Sequence, residues 1–498
     1  MPVVRRAAAV LAFALLAVPA VAAAQAAGEP GRSAAPVTDG PDVSAAELEA
    51  TIRTLAADSM RGRDTPSPEL AAAARWLAGR FESAGVKPGL GPDGFLQWYP
   101  LTIVDPADAG AHRMTLSGPG GTRELAPRRD FVAVPTGRDA RARGRLAPWR
   151  PGSGSAPAGG VALVDAEPRS LRSALESVRS ALEGSETAGA VIAVRGSGDW
   201  FRRVASYLSR RQVSLGEPDM LDRPVVLARA SALPDTLARA AERGEGGGGW
   251  TVELRTSAGL DSARAPNVVG WVEGTDPELR TEYVVLTAHL DHLGVGDPVD
   301  GDSIYNGADD DASGVAAVAE LAEAFAADPA PRSVVFMAVS GEEKGLYGSR
   351  WYARHPVFPL GRTAANVNID MIGRNWRDTV AAIGLEMSSL GETARRVVEE
   401  NPGLGVTVVE DRWPEQNYFF RSDHYSFARR GVPSLFFFSG VHEDYHAPGD
   451  EADELDYGKT ARIVRLIHRV VREVAEAPER PEWDPEAYDR VVDGGAGG

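Results

Sequence analysis

Apolar strands and amphipathic helices alternate along the second half of the chain, from Asn267 onward. Four near-continuous apolar runs are long enough to form buried strands, at residues 283–288, 333–339, 365–369 and 432–438. Strands that are apolar on both faces are typical of a parallel sheet that is covered by helices on both sides. The sequence therefore predicts an α/β fold with a mostly parallel central sheet sandwiched between helices.

A second kind of sequence interrupts this fold before residue 266. Stretches rich in Gly, Ser and Pro at 151–160 and 246–249 bracket short β-like runs. We predict a smaller, β-rich inserted domain at 135–265 that carries no catalytic residues. The main domain would then be formed by residues 43–134 and 266–477. The acidic, Pro- and Gly-rich residues 478–498 are expected to form a loose tail.

The first residues of the chain have the pattern of an export signal. Residues 1–24 combine Arg5 and Arg6 with an apolar stretch and a run of small residues, which is typical of a secretory signal peptide. An uncleaved membrane anchor is the alternative, for which the apolar stretch is short. Residues 25–42 have no periodicity and are expected to be a disordered leader. We therefore expect a secreted or periplasmic protein that is free of the membrane after signal cleavage.

Charge and cysteine content exclude several classes of function. The net charge is -17 and disfavours nucleic acid as a partner, because binding to nucleic acid requires basic patches. The chain has 0 Cys, which excludes disulfides, thiolate metal sites and cysteine nucleophiles. Any metal must therefore be held by His, Asp and Glu. The oligomeric state is not indicated by the sequence.

Potential metal ligands follow the predicted strands. Ligands in open parallel sheets bind outside the carboxyl ends of the strands, so residues at these ends converge. In chain order the candidates are His289, Asp310, Glu343, Asp370 and His446. Two imidazoles and three carboxylates suit two zinc ions that share one bridging carboxylate and an activated water. The charges of two zinc ions also balance those of three carboxylates and a hydroxide.

The residues alone leave some choices open. In HLDH, His289 is preferred to His292 because it ends the strand, and Asp291 could accept its second N–H. In the last loop His442 and His446 are alternatives.

The acidic residues also allow more than one interpretation. The acid triplet at 309–311 matches the spacing of an EF-hand calcium loop, but the helical run from Val315 contradicts that interpretation. Glu342 and Glu343 are adjacent, so we expect one to bind metal and the other to accept a proton from the metal-bound water.

Five motifs in sequence carry a resemblance to a known family. They are HLDH, NGADDDASG, SGEEKGLYGS, NIDMIGR and DYHAPGDEADELDY, and in this order they resemble the M28 family of zinc aminopeptidases from about 267 to 475. Residues 55–88 resemble the N-terminal helices of that family. Several members carry a protease-associated (PA) domain before the metal motifs, where the predicted insert lies. The resemblance implies a zinc-exopeptidase fold with a PA-like insert.

The resemblance also implies roles for individual residues. Its implied zinc ligands are His289 and Asp370 for one ion, Glu343 and His446 for the other, and Asp310 as the bridge, with a cis peptide bond after it. Glu342 becomes the general base, and Asp291 the partner of His289. Tyr445 is a candidate for stabilising the tetrahedral oxyanion, with packing as the alternative. Cobalt or manganese accept similar ligands.

The function that we expect from these observations is peptide hydrolysis. The chain is expected to be an exported di-zinc aminopeptidase that acts on the N-terminal bond of peptide substrates, with Glu342 activating a bridging water. A carboxypeptidase or an amide deacylase could use the same metal core. A non-catalytic, receptor-like homologue is a further alternative, against which the complete ligand set argues.

Overall fold

The computed structural model describes residues 43–106, 109–136, 139–218, 220–246 and 249–493. The predicted signal peptide and leader, residues 1–42, lie outside the described residues. The described chain divides into two compact units. We call residues 101–263 the inserted unit, and residues 43–100 with 264–493 the main unit.

The described residues form helices in both units, including one over the helical run that starts near Val315. They are α1 (Ala45–Leu55), α2 (Pro68–Ser83), α3 (Leu171–Glu183), α4 (Gly198–Leu208), α5 (Asp235–Arg243), α6 (Gly314–Ala327), α7 (Tyr347–Arg354), α8 (Leu390–Glu400), α9 (His424–Ala428), α10 (Tyr457–Glu476) and α11 (Pro485–Tyr488). The first two begin at serine N-caps, where Ser44 and Ser67 each accept a backbone N–H with the side chain. Within the described chain, none of the helices combines the length and the apolar character needed to cross a membrane.

The strands occupy both units. They are β1 (Lys87–Pro88), β2 (Leu96–Pro106), β3 (Arg113–Gly118), β4 (Gly121–Glu124), β5 (Phe131–Ala133), β6 (Ala140–Pro148), β7 (Val161–Ala166), β8 (Gly189–Val194), β9 (Gln212–Leu215), β10 (Val225–Arg229), β11 (Thr251–Thr256), β12 (Ala258–Val272), β13 (Tyr283–His289), β14 (Gly294–Val299), β15 (Asp302–Tyr305), β16 (Ser333–Val339), β17 (Thr363–Ile369), β18 (Thr379–Ile383), β19 (Thr407–Val409) and β20 (Ser434–Phe438). All four strands predicted from Asn267 onward are present.

The main unit is built on a sheet in the order β19-β18-β20-β17-β13-β16-β12-β2. Its centre is parallel, since β13 pairs in parallel with β16 and β17, and β17 with β20. Both β12 and β18 run antiparallel to their inner neighbours, β16 and β20. The predicted α/β fold with a mostly parallel central sheet is therefore confirmed, with antiparallel strands added on either side of its centre.

Helices cover both faces of this sheet, which explains why the central strands are apolar throughout. On one face Val335 and Met337 share a hydrophobic cluster with Tyr352 of α7 and Phe427 of α9. On the other face the ring of Phe336 lies 6.1 Å from that of Phe325 in α6. Every residue of β16 is buried. The strand ends are thereby held rigidly, and the residues that follow them have fixed positions.

The inserted unit differs from its prediction in extent and composition. Its eight-stranded sheet has the order β4-β3-β11-β6-β7-β8-β10-β5, and the unit also contains α3, α4 and α5. It begins at Leu101, within β2, rather than near 135, because β3, β4 and β5 already belong to its sheet. The unit therefore contains helices as well as strands. Its assignment as a PA-like domain remains a prediction.

The segment after Ala477 also differs from the loose tail that we expected. It forms α11, and the indole Nε1 of Trp483 donates to the carbonyl oxygen of Gly431 at 2.9 Å. Val491 is fully buried in a cluster with Phe436 and Phe438. These few apolar side chains anchor an otherwise polar segment as far as residue 493.

Candidate metal centre

The carboxyl ends of adjacent parallel strands meet at one edge of the main sheet. Strand β13 ends at His289, and Asp370 follows the end of β17. Glu342 and Glu343 follow β16 after a two-residue turn. Because β17, β13 and β16 are neighbours in the sheet, these side chains emerge next to one another. The predicted convergence at the strand ends is thus present.

One group of possible ligands surrounds the imidazole of His289. Its Nε2 lies 3.0 Å from Oδ1 of Asp310 and 3.7 Å from Oδ1 of Asp370. On the opposite side of the ring, Nδ1 lies 3.0 Å from the backbone oxygen of Asp291, which leaves Nε2 free to bind a metal. We call His289, Asp310 and Asp370 the first half-site.

A second group lies on the other side of Asp310. Nε2 of His446 is 3.3 Å from Oδ2 of Asp310 and 3.2 Å from Oε2 of Glu343. We call Asp310, Glu343 and His446 the second half-site. The two oxygens of Asp310 therefore face different half-sites, which is the arrangement that a bridging carboxylate requires. All five residues singled out in the sequence are brought together here.

His292 also lies at the second half-site. Its Nδ1 is 2.9 Å from Oε1 of Glu343 and 3.7 Å from Oδ2 of Asp310, and the side chain is fully buried. The sequence placed this residue as the alternative to His289 for one position. The structure gives the two histidines different positions, one at each half-site.

The three acids of the triplet have separate surroundings. Asp309 accepts the backbone N–H of Gly373 at 2.6 Å, and Asp311 accepts that of His289 at 2.9 Å. Only Asp310 faces the two half-sites. The peptide bond between Asp310 and Asp311 is cis, which confirms the prediction from the family resemblance. The EF-hand alternative is wrong, because Glu320 lies in helix α6 and pairs with Arg80 at 2.7 Å.

The contact between Asp291 and His289 requires a correction. We expected the carboxylate of Asp291 to accept the second N–H of His289, but that carboxylate oxygen is 3.9 Å from Nδ1. The backbone oxygen of the same residue is the acceptor, as described above. The carboxylate instead accepts the backbone N–H of Glu342 at 3.2 Å. Asp291 therefore positions the loop that carries Glu342 and Glu343.

Arg63 is a residue of the centre that sequence reasoning missed. Its side chain is fully buried and donates to the carbonyl oxygens of Leu290 at 2.8 Å, Asn306 at 2.8 Å and Gly307 at 2.9 Å. These carbonyls flank the residues His289 and Asp310. Burial lowers the pKa of Arg63 to about 10, although nearby acids such as Asp291 and Asp450 favour the charged form. Arg63 thus ties together two loops of the metal centre.

The surroundings of the adjacent Glu342 and Glu343 shift the pKa values of the two side chains in opposite directions. Burial, together with the nearby carboxylates of Glu343 and Asp423, raises the pKa of Glu342 well above its usual range. Burial acts on Glu343 in the same direction, but His446 and His292 outweigh it and lower the pKa of Glu343 to about 2. Glu343 is therefore suited to bind a cation, and Glu342 to exchange a proton.

A cavity opens above the centre. Besides the ligands and Glu342, its lining includes Met371, Tyr418, Arg421, Ser422, Phe436, Phe438, Val441 and Tyr445. The ring of Tyr445 stacks on that of His446, with the centroids 3.8 Å apart. The wall is thus largely apolar, with one guanidinium and polar groups at its base.

The donor set fits divalent metal ions. Within the described ranges, Oδ2 of Asp310 and Oε1 of Glu343 are buried and have no hydrogen-bond partner. Buried carboxylates without partners are costly, and a cation between them would satisfy both. Imidazole nitrogen and carboxylate oxygen are preferred ligands of zinc. The residues present therefore match the metal set that the family resemblance implies.

Comparisons with known proteins agree with this geometry. The model of Peptidase family M28 matches residues 267–471. A probable zinc metalloprotease of Pyricularia oryzae is 29% identical over 240 residues, which covers 40% of this chain and 47% of the relative. Aminopeptidase YwaD of Bacillus subtilis is 26% identical over 185 residues, covering 35% of this chain and 37% of the relative. The chain thus spans about half the length, or less, of these curated relatives.

A solved structure shares the fold over most of the chain. An aminopeptidase from Aneurinibacillus sp. strain AM-1 aligns with a TM-score of 0.56 and 19% identity, covering 89% of this chain and 96% of that one. At this identity the likeness shows the fold alone.

Proposed function

We propose that this protein is a di-zinc aminopeptidase that hydrolyses the N-terminal peptide bond of peptides, since residues 267–471 match the model of Peptidase family M28. One observation carries the proposal: the two carboxylate oxygens of Asp310 face two separate groups of metal ligands. The first ion would be held by His289 and Asp370, and the second by Glu343 and His446. Asp310 would bridge them.

The proposed chemistry divides between the metals and one glutamate. Two zinc ions, when bound, polarise the scissile carbonyl and lower the pKa of the attacking water. Glu342 is the proposed general base, and its raised pKa suits a carboxylate that takes a proton from water and gives it to the leaving amine. Tyr445 lines the same cavity and is proposed to donate a hydrogen bond to the oxyanion.

The direction of hydrolysis is inferred from polar groups near the centre and from a relative. Glu342, Asp370 and Asp423 are buried or partly buried acids close to the centre, and their carboxyl oxygens can accept hydrogen bonds from the ammonium group of a free N-terminus. Arg421 also lines the cavity and could bind a terminal carboxylate, which is the feature that a carboxypeptidase would need. A similar protein, YwaD of Bacillus subtilis, is named an aminopeptidase, so we propose the same direction for this chain.

The test compares substrates that differ only at their ends. An aminoacyl anilide with a free amine should be hydrolysed, and its N-acetylated form should not. Faster cleavage of a substrate with a free carboxylate and a blocked amine would refute the direction and favour the carboxypeptidase. Hydrolysis of the acetyl group itself would favour the deacylase.

A variant tests the role of Glu342. Glu342→Gln should lower kcat by roughly 10²–10⁴-fold, because that is the usual contribution of a general acid–base group, and should still bind two zinc ions. Glu443→Gln is the matched control, since Glu443 is exposed in the loop that carries His446. Near-normal turnover of the Glu342 variant would exclude it as the base.

We also propose export, on the composition of residues 1–24. N-terminal sequencing of protein recovered from a secreting host should find the chain starting close to residue 25. Full-length protein retained with the membrane fraction would instead support the uncleaved anchor.

A further inference from the structure

The second half-site contains an imidazole that the family resemblance assigns to neither metal. His292 is fully buried, and neither of its ring nitrogens has a hydrogen-bond partner among the described residues. A buried imidazole with two unpaired nitrogens is unfavourable unless something else satisfies it. The neighbouring Oδ2 of Asp310 and Oε1 of Glu343 are unpaired as well. Three possible metal-ligand atoms, Nδ1 of His292, Oδ2 of Asp310 and Oε1 of Glu343, thus lie close together without hydrogen-bond partners.

The distances between these atoms have the values expected around a metal. Four ligands placed tetrahedrally at about 2.0–2.1 Å from zinc lie about 3.3 Å from one another. Nδ1 of His292 lies 2.9 Å from Oε1 of Glu343 and 3.7 Å from Oδ2 of Asp310. Nε2 of His446 lies 3.2 Å from Oε2 of Glu343 and 3.3 Å from Oδ2 of Asp310. The two imidazoles therefore share Oδ2 of Asp310 and approach different oxygens of Glu343, and the ligand atoms of His292, Asp310 and Glu343 lie close enough to hold one ion.

The backbone makes room for this ring. Gly307 has a φ of +63°, and a Cβ there would lie 2.5 Å from Cγ of His292 and 2.3 Å from the backbone oxygen of Asp310. Only glycine can therefore occupy this position with the ring where it is. The carbonyl oxygen of Gly307 also accepts a hydrogen bond from the side chain of Arg63 at 2.9 Å. The loop at Gly307 therefore packs directly against the ring of His292.

We propose that Nδ1 of His292 is a direct ligand of the metal in the second half-site. This inference rests on the metal centre of the proposed function. The second ion then has two imidazoles and two carboxylates, whereas the first has one imidazole and two carboxylates. A neutral ligand leaves the charge balance of the centre unchanged, and an additional imidazole favours zinc over magnesium or calcium.

A crystal structure of the zinc-loaded protein gives the first test, and it needs no variant. Anomalous scattering should place a zinc ion about 2.0–2.1 Å from Nδ1 of His292. A zinc ion more than 3 Å away, with Nδ1 donating to Glu343, would overturn the proposal. If the parent protein holds no zinc at all, the proposed function fails together with it.

A pair of variants gives the second test, in which zinc affinity is measured by competition with a chelator. The carboxylate of His292→Asp can still bind zinc but cannot donate a hydrogen bond to Glu343. The amide of His292→Asn can donate that hydrogen bond but binds zinc poorly. We expect His292→Asn to lower the affinity for one of two zinc ions by more than the roughly 10–100-fold typical of an outer hydrogen-bond partner, and His292→Asp to retain more of it. The reverse order would show an orienting role and overturn the proposal.

The control for this pair is His468→Gln. His468 is also a buried imidazole whose ring nitrogens have no hydrogen-bond partner in the described chain, but it packs against Phe325 in the helical layer. Its substitution should leave both zinc affinities unchanged. If the parent binds two zinc ions and hydrolyses peptides while both His292 variants bind zinc normally, only the inference on His292 is refuted.

Discussion

Replacing Arg63 by Met should weaken both the fold and the metal centre. Four buried carbonyl oxygens would lose a charged donor, those of Leu290, Asn306 and Gly307 at 2.8 to 2.9 Å and that of Leu55 at 2.5 Å. Bonds from a charged donor contribute roughly 1.5–3 kcal/mol each, while removing the buried charge recovers part of that total. We expect the free energy of unfolding to fall by about 3 kcal/mol.

A matched variant separates the loss of fold stability from the loss of metal binding. Arg332 is likewise fully buried, donates to the carbonyl oxygens of Val474 and Ala477, and pairs with Glu282 at 3.1 Å. It contacts none of the metal loops through these bonds. Arg332→Met should therefore cost a similar free energy in urea denaturation of the metal-free protein.

Zinc affinity should distinguish the two arginines. Arg63→Met frees the loops that carry His289 and Asp310, so zinc binding should weaken by roughly tenfold or more, as for other groups that orient ligands. Arg332→Met should leave it unchanged. If both variants bind zinc equally well, Arg63 stabilises the fold without positioning the ligands, and our interpretation of its role is wrong.

Three further predictions follow from local packing and charge. Gly307→Ala should lower zinc affinity by displacing His292, whereas Gly405→Ala, with a similar φ of +61° and nothing within 4 Å, should not; chelator competition measures both. Burial lowers the pKa of His468 to about 4 in the folded protein. Between pH 6.5 and 4 the unfolded state therefore binds more protons than the folded state, and the free energy of unfolding should fall by about 2–3 kcal/mol as the pH drops through that window. Urea denaturation of His468→Phe should lack this loss, and an unchanged pH profile would contradict the assignment. Trp483→Ala should destabilise the main unit by about 3 kcal/mol in the same assay, because the indole is partly buried and donates to Gly431; no change would mean that the segment is loose in solution.

Features that depend on local patterning were predictable from the sequence. The apolar run ending at His289 and the one before Asp370 identify strands by their length and composition, and the parallel topology then brings their ends together. The acid triplet could be placed just before α6 because a helical pattern follows it from Val315. These rules located the loops that carry the ligand candidates, while the choice of Asp310 within the triplet and of His446 over His442 came from the family resemblance; the structure brings all five within a few ångströms.

Features that depend on distant contacts were not predictable. Arg63 contacts Leu290 and Gly307, which are far away in the sequence, and nothing local distinguishes it from an exposed arginine. The role of Asp291 was assigned to its carboxylate, whereas the contact to His289 comes from its backbone, which no side-chain pattern encodes. Trp483 and Val491 lie in a segment that is mostly polar, so a prediction from average composition does not detect that they are partly or fully buried.

The acid triplet shows how one sequence pattern can serve both fold and chemistry. Asp309 and Asp311 accept backbone N–H groups of Gly373 and His289, so their carboxyl groups hold the strand ends in place. Asp450 accepts the N–H groups of Asp309 and Asp310 in turn. Asp310 alone keeps its oxygens free of such bonds to the backbone, and burial would make its charge costly without cations on both sides. The same network that fixes its orientation therefore makes metal binding favourable, and metal binding should in turn stabilise the main unit.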